Sequence, residues 1–130
     1  MKPELENKLH RHKVMWAMCD EHRKLVCWPS VSTGDGWFQL IDECLEACDK
    51  TVNPKENYVV QIKQKWGGLR IYFKKPAEVR DLVHIAEEKA ASTCEACGFI
   101  GEAPGVFHSE CRSCGHTRGS STDFYQRREY

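Results

Sequence analysis

The sequence predicts an α+β fold in which helices pack on a two-stranded antiparallel β-hairpin and a C-terminal four-cysteine zinc ribbon or knuckle extends the core. Three observations carry this: apolar residues at helical spacing over Trp37–Cys48, a switch to period two on either side of Gly67-Gly68, and two CxxC pairs. Cys94 and Cys97 form the first pair, Cys111 and Cys114 the second, with thirteen residues between them. A two-residue gap lets both sulfurs of a pair curl around one ion, and Gly98 and Gly115 permit the left-handed turn that each knuckle needs. Zinc takes four tetrahedral ligands, so a shell closed by Cys94, Cys97, Cys111 and Cys114 holds a fold together and leaves no position for a catalytic water. His108 and His116 are near enough in sequence to replace one of the cysteines.

The chain has 130 residues, 41% hydrophobic and 29% charged, enough for one modest core and a small metal-clamped lobe. The reading divides it into a helical and hairpin core over 1–91, a zinc-binding lobe over 92–118 and a polar tail over 119–130. Lys plus Arg equals Asp plus Glu at 19 each, which argues against a protein that wraps nucleic acid by charge alone. No apolar run has the length of a signal or membrane segment, so the expectation is a cytoplasmic protein with no membrane partner. In that compartment the eight cysteines read as thiols and metal ligands, not disulfides.

From Glu4 to about Val26, Leu5, Leu9, Trp16 and Cys19 recur at helical spacing and predict a first amphipathic helix. Trp28-Pro29-Ser30 ends it. The segment from Ser32 to Gly36 reads as a polar turn in which Asp35 caps the next helix. That second helix buries Trp37, Leu40, Ile41, Cys44, Leu45 and Cys48, turns Asp42, Glu43, Glu46 and Asp49 outward, and stops at Asn53-Pro54. With Gly67-Gly68 as the turn, Trp66 faces Leu69, Gln64 faces Ile71, Ile62 faces Phe73 and Val60 faces Lys75 on an apolar surface. The other surface pairs Lys65 with Arg70, Lys63 with Tyr72 and Gln61 with Lys74. A third helix from about Ala77 to Ala91 buries Val79, Leu82, Val83, Ala86 and Ala90 and runs into Cys94. The tail offers Phe124, Tyr125 and Tyr130 as anchors, and no internal repeat is evident.

Gly34-Asp35-Gly36-Trp37, Val60-Gln61-Ile62-Lys63 followed by Gly67 to Phe73, and Thr93-Cys94-Glu95-Ala96-Cys97-Gly98 together resemble a family of small phage and prophage zinc-binding proteins. The resemblance covers about Gly34 to Gly98, and the hairpin signature is its most specific part. It implies a phage-encoded protein acting in the cytoplasm of a bacterial host.

Lys63, Lys65, Arg70, Tyr72 and Lys74 form the candidate partner-binding face. Like charges set opposite each other repel, a local cost that an anionic partner relieves, although acids of the second helix would do the same from within the fold. Cys19, His22, Cys44 and Cys48 have spacings compatible with a second metal, but Cys44 and Cys48 lie in the apolar stripe, where cysteine acts as a small hydrophobe. No Ser-His-Asp order, phosphate loop or HExxH motif is present, so the expectation is a binding protein and not an enzyme, with no small-molecule substrate. The resemblance and the small size imply a host protein or protein complex as the favoured partner, engaged for example as an inhibitor of a bacterial defence system such as CRISPR or of another host enzyme. The alternative is nucleic acid, bound as an accessory or regulatory module by the basic face and the ribbon.

Overall fold

The computed structural model describes residues 1–16, 28–101 and 109–119. Helix α1 spans Pro3–Leu9, a 3-10 turn Lys13–Met15, strand β1 Ser30–Ser32, and helix α2 Phe38–Thr51 after a 3-10 turn at Asp35–Trp37. Strands β2, Val59–Lys65, and β3, Gly68–Phe73, follow; a 3-10 turn at Pro76–Val79 then leads into helix α3, Arg80–Ala91. The class is α+β, as read from the sequence, but the sheet is three-stranded and mixed in the order β1-β2-β3.

The added strand corrects the two-stranded expectation. β1 lies parallel to β2, with Ser30, Val31 and Ser32 beside Gln61, Ile62 and Lys63, so the segment read as a polar turn starts one residue later than expected. Parallel neighbours need a crossover, and α2 supplies it. Val31, Ile62 and Ile71 then form one buried row across all three strands.

The hairpin register also differs. Lys65 pairs with Gly68, Gln64 with Leu69, Lys63 with Arg70 and Ile62 with Ile71, so the turn residues are Trp66 and Gly67. Both have positive φ, 55° and 78°, as a primed two-residue turn requires. A left-handed tryptophan costs about 1–2 kcal/mol. The turn is held in place by Gln64, whose Oε1 accepts the Gly67 N–H at 3.2 Å, and by Arg118, whose Nη1 donates to the Gly67 carbonyl at 3.0 Å. Moving the turn by one residue changes every partner but no residue's face, so Ile62, Leu69, Ile71 and Phe73 still point inward. Trp66 does not join them and is 73% exposed. A register irregularity between Val59 and Gln61 buries Val59 and exposes Val60, the reverse of the expected parity.

Helix α2 buries the predicted stripe of Leu40, Ile41, Cys44, Leu45 and Cys48, and Trp37 is fully buried just before it. Asp35 does not cap it: its carboxylate accepts the Lys2 backbone N–H at 2.7 Å. Helix α3 buries Val79 at its approach and Ala86 and Ala90 within it, and packs Leu82 and Val83 against the core from its edge. The first helix is shorter than expected. After Leu9 the chain turns, because the Asp49 carboxylate of α2 takes the N–H groups of Lys13 and Val14 at 3.0 and 2.9 Å, seating Val14 and Met15 in the core. Trp16 points outward and donates its Nε1–H to the His10 carbonyl. The rest of that predicted helix, with Cys19 and His22, lies outside the described residues, as do His108 and the tail anchors Phe124, Tyr125 and Tyr130.

Candidate metal centre and basic sheet face

Cys94, Cys97, Cys111 and Cys114 converge so that their four sulfurs all lie within 4.8 Å of one another. The Cys94 and Cys114 sulfurs are 3.7 Å apart, and those of Cys97 and Cys111 are 3.8 Å apart. A disulfide would bring them to about 2 Å. Four thiolates about 2.3 Å from a central ion stand about 3.8 Å apart at the corners of a tetrahedron, so the cluster fits a metal. Among the described residues these four are the only such group, and His116 is not part of it.

The same local geometry builds both pairs. Cys94 N–H donates to the Phe99 carbonyl at 2.9 Å and Gly98 N–H to the Cys94 carbonyl at 2.9 Å; seventeen positions later Cys111 donates to His116 and Gly115 to Cys111 at 2.8 and 2.9 Å. The bridges Thr93–Ile100 and Glu110–Thr117 obey the same offset, as do the bonds from Gly101 to Ser92 and from Arg118 to Ser109. A short structural repeat is therefore present where none was read from the sequence, because most side chains outside Cys and Gly differ between the two copies. Gly98 and Gly115 adopt φ of 82° and 78°, the left-handed turn expected of them. At Cys111 desolvation is outweighed by N–H donation from Cys114 and Ser113, which brings its thiol to about 7, whereas burial pushes the Cys94 thiol up.

The first knuckle is joined to the core by backbone. Gly36 N–H donates to the Glu95 carbonyl at 2.7 Å, and the Trp37 indole N–H to the Thr93 carbonyl at 2.8 Å. The Glu95 carboxylate, buried inside the knuckle, accepts the Gly34 N–H at 2.8 Å. Burial lifts Glu95 to about 7, against the pull of the Gly34 N–H, Gln64, the Met1 ammonium and Arg118. The second knuckle reaches the core through Arg118, whose guanidinium donates to the Gly67 carbonyl of the hairpin turn and to the Ala91 carbonyl at the end of α3. Glu95 and Arg118 give no signal in the sequence, since charged residues beside metal-binding cysteines are ordinarily solvated.

A Cβ on Gly36 would collide with the Cys94 carbonyl oxygen and lie 2.5 Å from Gly98 N and 2.7 Å from the Glu95 carbonyl oxygen. All three obstacles are backbone. Gly36→Ala is therefore expected to push the knuckle off the core and destabilise the protein by about 1–3 kcal/mol, read as a lower melting temperature together with weaker metal retention. Unchanged melting and metal content would mean that the contact yields freely.

The four candidate cations lie along the outer surface of the hairpin, which carries Lys63 opposite Arg70 and Gln61 opposite Tyr72, while Lys65 faces Gly68 and not Arg70. The like-charged pair is thus Lys63 with Arg70. Lys63 Nζ lies 5.7 Å from the Tyr72 ring centroid, Lys74 Nζ lies 5.5 Å from that of Tyr58, and Arg70 Nη1 donates to the Leu69 carbonyl at 2.9 Å. Among the described residues none of these cations forms an ion pair with a carboxylate. Three of the four acids of α2 are engaged elsewhere: Asp42 with Arg11 at 2.8 Å and His12 at 2.7 Å, Asp49 with the Lys13–Val14 backbone, and Glu43 with Lys89 at 3.5 Å.

Cys44 and Cys48 are buried in the core, and the Cys44 thiol approaches the Leu82 carbonyl at 3.6 Å. His12, 2% exposed, is held between Asp42 and Asp49. No helix among the described residues is long and apolar enough to cross a membrane. Comparison with known protein families, with curated proteins and with solved structures finds no match.

Proposed function

We propose that this is a non-enzymatic, zinc-stabilised binding protein that acts by contact on a host macromolecular machine, as the resemblance to phage proteins implies, with inhibition of a bacterial defence system such as CRISPR as its task. Its place of action is then the bacterial cytoplasm. Zinc is the ion favoured by four thiolates in a closed tetrahedron. Such a shell has no open position for substrate, so the metal's role is to hold the knuckles against the sheet.

The observation that carries the binding reading is the outer sheet face. Lys63, Lys65, Arg70 and Lys74 gather there without carboxylate partners among the described residues, and Lys63 is directly across from Arg70. Like charges opposed on a sheet destabilise it, and an anionic surface laid on them removes that cost. Tyr72 among the cations favours the second reading, that the anionic surface is nucleic acid.

Lys63→Glu, Lys65→Glu and Arg70→Glu combined are expected to keep the wild-type metal content and melting temperature while losing capture of the host partner. The comparison is quantitative mass spectrometry of proteins and nucleic acids retained from bacterial lysate by the immobilised wild type and the triple variant. A folded triple variant that retains the same set in the same amounts would remove this face from the function.

A further inference from the structure

We infer that the outer sheet face is a platform for single-stranded nucleic acid, the component of the host machine that the protein touches. This rests on the binding reading above and names its ligand. The third strand and the corrected register supply what the hairpin alone lacks. Across the sheet, Ser32, Lys63 and Arg70 stand in one row and Ser30, Gln61 and Tyr72 in the next. Rows on one face are about 6.6 Å apart, two strand rises. That repeat matches the spacing of successive phosphates in an extended single strand, and Lys65 continues it toward the turn. The other polar members of the rows, Ser32 in the first and Ser30 and Gln61 in the second, add hydrogen-bonding groups beside the cations.

Two exposed aromatic rings lie near the charged rows. Tyr72 is 38% exposed one row before the Lys63–Arg70 pair, and Trp66 stands out from the turn beyond Lys65. Cations tracking a backbone with rings at intervals for stacked bases are the shared features of single-strand binding surfaces, and stacking is indifferent to sequence because every base has a π-face. An acidic protein would answer the charges but gives no use for the Tyr72 ring exposed among them. A duplex keeps its bases stacked internally and offers nothing to Tyr72. The zero net charge of the chain fits a short track better than a long polyanion wrap.

The test uses the metal-loaded full chain and three probes: a short fluorescein-labelled oligothymidylate, the corresponding duplex, and a labelled polyglutamate peptide, each followed by fluorescence anisotropy across a salt series. The oligothymidylate should bind most tightly, with log affinity falling against log salt at a slope of about −2, as three phosphate contacts give. Lys63→Gln with Arg70→Gln should flatten that slope by about 1.4. Tyr72→Leu should weaken binding about tenfold and leave the slope unchanged, a split that charge alone does not produce. Each variant is checked for wild-type metal content and melting. Equal binding of polyglutamate, preference for the duplex, no binding of the oligothymidylate, or indifference to Tyr72→Leu would each overturn the inference. If the triple charge reversal abolishes capture of a host protein while oligothymidylate does not bind, the binding reading stands and this inference alone falls.

Discussion

Cys94→Ser is expected to release the metal and destabilise the whole protein, whereas Cys114→Ser should release the metal with a smaller effect on the core. Structural zinc in small fingers is worth about 10–16 kcal/mol of apparent binding at neutral pH, comparable to the entire stability of about 5–15 kcal/mol of an ordinary domain. Losing one thiolate of four therefore matters at the scale of the fold. The asymmetry comes from attachment. The residues flanking Cys94 carry the Gly36, Gly34 and Trp37 hydrogen bonds, and Cys94 itself is fully buried. Cys114 is exposed, and its knuckle meets the core through the Arg118 side chain. Thermal melts and elemental analysis of both variants decide the matter, with a chelator series on the wild type beside them. One tightly held zinc per chain is expected. Purified protein that carries no transition metal, or two equivalents, would contradict the single-site reading. Because thiols must lose their protons to bind metal, retention should fall as pH is lowered.

The four-cysteine cluster was legible because its signal is local: a two-residue gap and a following glycine dictate the knuckle whatever surrounds it. Helix α2 was legible for a related reason, since five core positions at a 3.6 period leave one orientation toward a core. The hairpin was half legible. Face parity survives a one-residue shift of the turn, but partner identity does not, so the repulsive pair proved to be Lys63 with Arg70. Strand β1 was not legible at all. Ser30-Val31-Ser32 has one apolar residue and becomes a strand through β2, thirty-one positions away in register. The overlong first helix has the same origin, because the acceptor that turns the chain after Leu9 is Asp49, on another element.

Motifs that are far apart in sequence meet in space. Gly34 to Trp37 receives Thr93 to Gly98 through Gly36, Glu95 and the Trp37 indole, while Gly67 of the hairpin accepts Arg118 from the second knuckle. Gln64 serves the turn through its Oε1, which accepts the Gly67 N–H. The four-cysteine lobe is thereby tied to the end of the sheet that bears the hairpin turn.

Trp37→Ala is expected to destabilise the protein by about 3–5 kcal/mol, the second large effect after loss of the metal. The indole is fully buried, so truncation leaves a cavity among side chains that include Ile41 and Leu45, one turn and two turns on along α2. It also leaves the Thr93 carbonyl without its indole donor, adjacent to the first metal ligand. The two losses are separable. Trp37→Phe keeps a six-membered ring in the core but loses the pyrrole part of the indole together with its N–H, so it should recover part of the stability while still loosening the first knuckle. Thermal or denaturant unfolding of the pair gives the packing contribution, and the rate of zinc transfer to a chromogenic chelator gives the knuckle contribution. If Trp37→Ala melts with the wild type, α2 does not face the core through this residue. If Trp37→Phe releases zinc no faster than the wild type, the indole packs the core but does not hold the metal lobe against it.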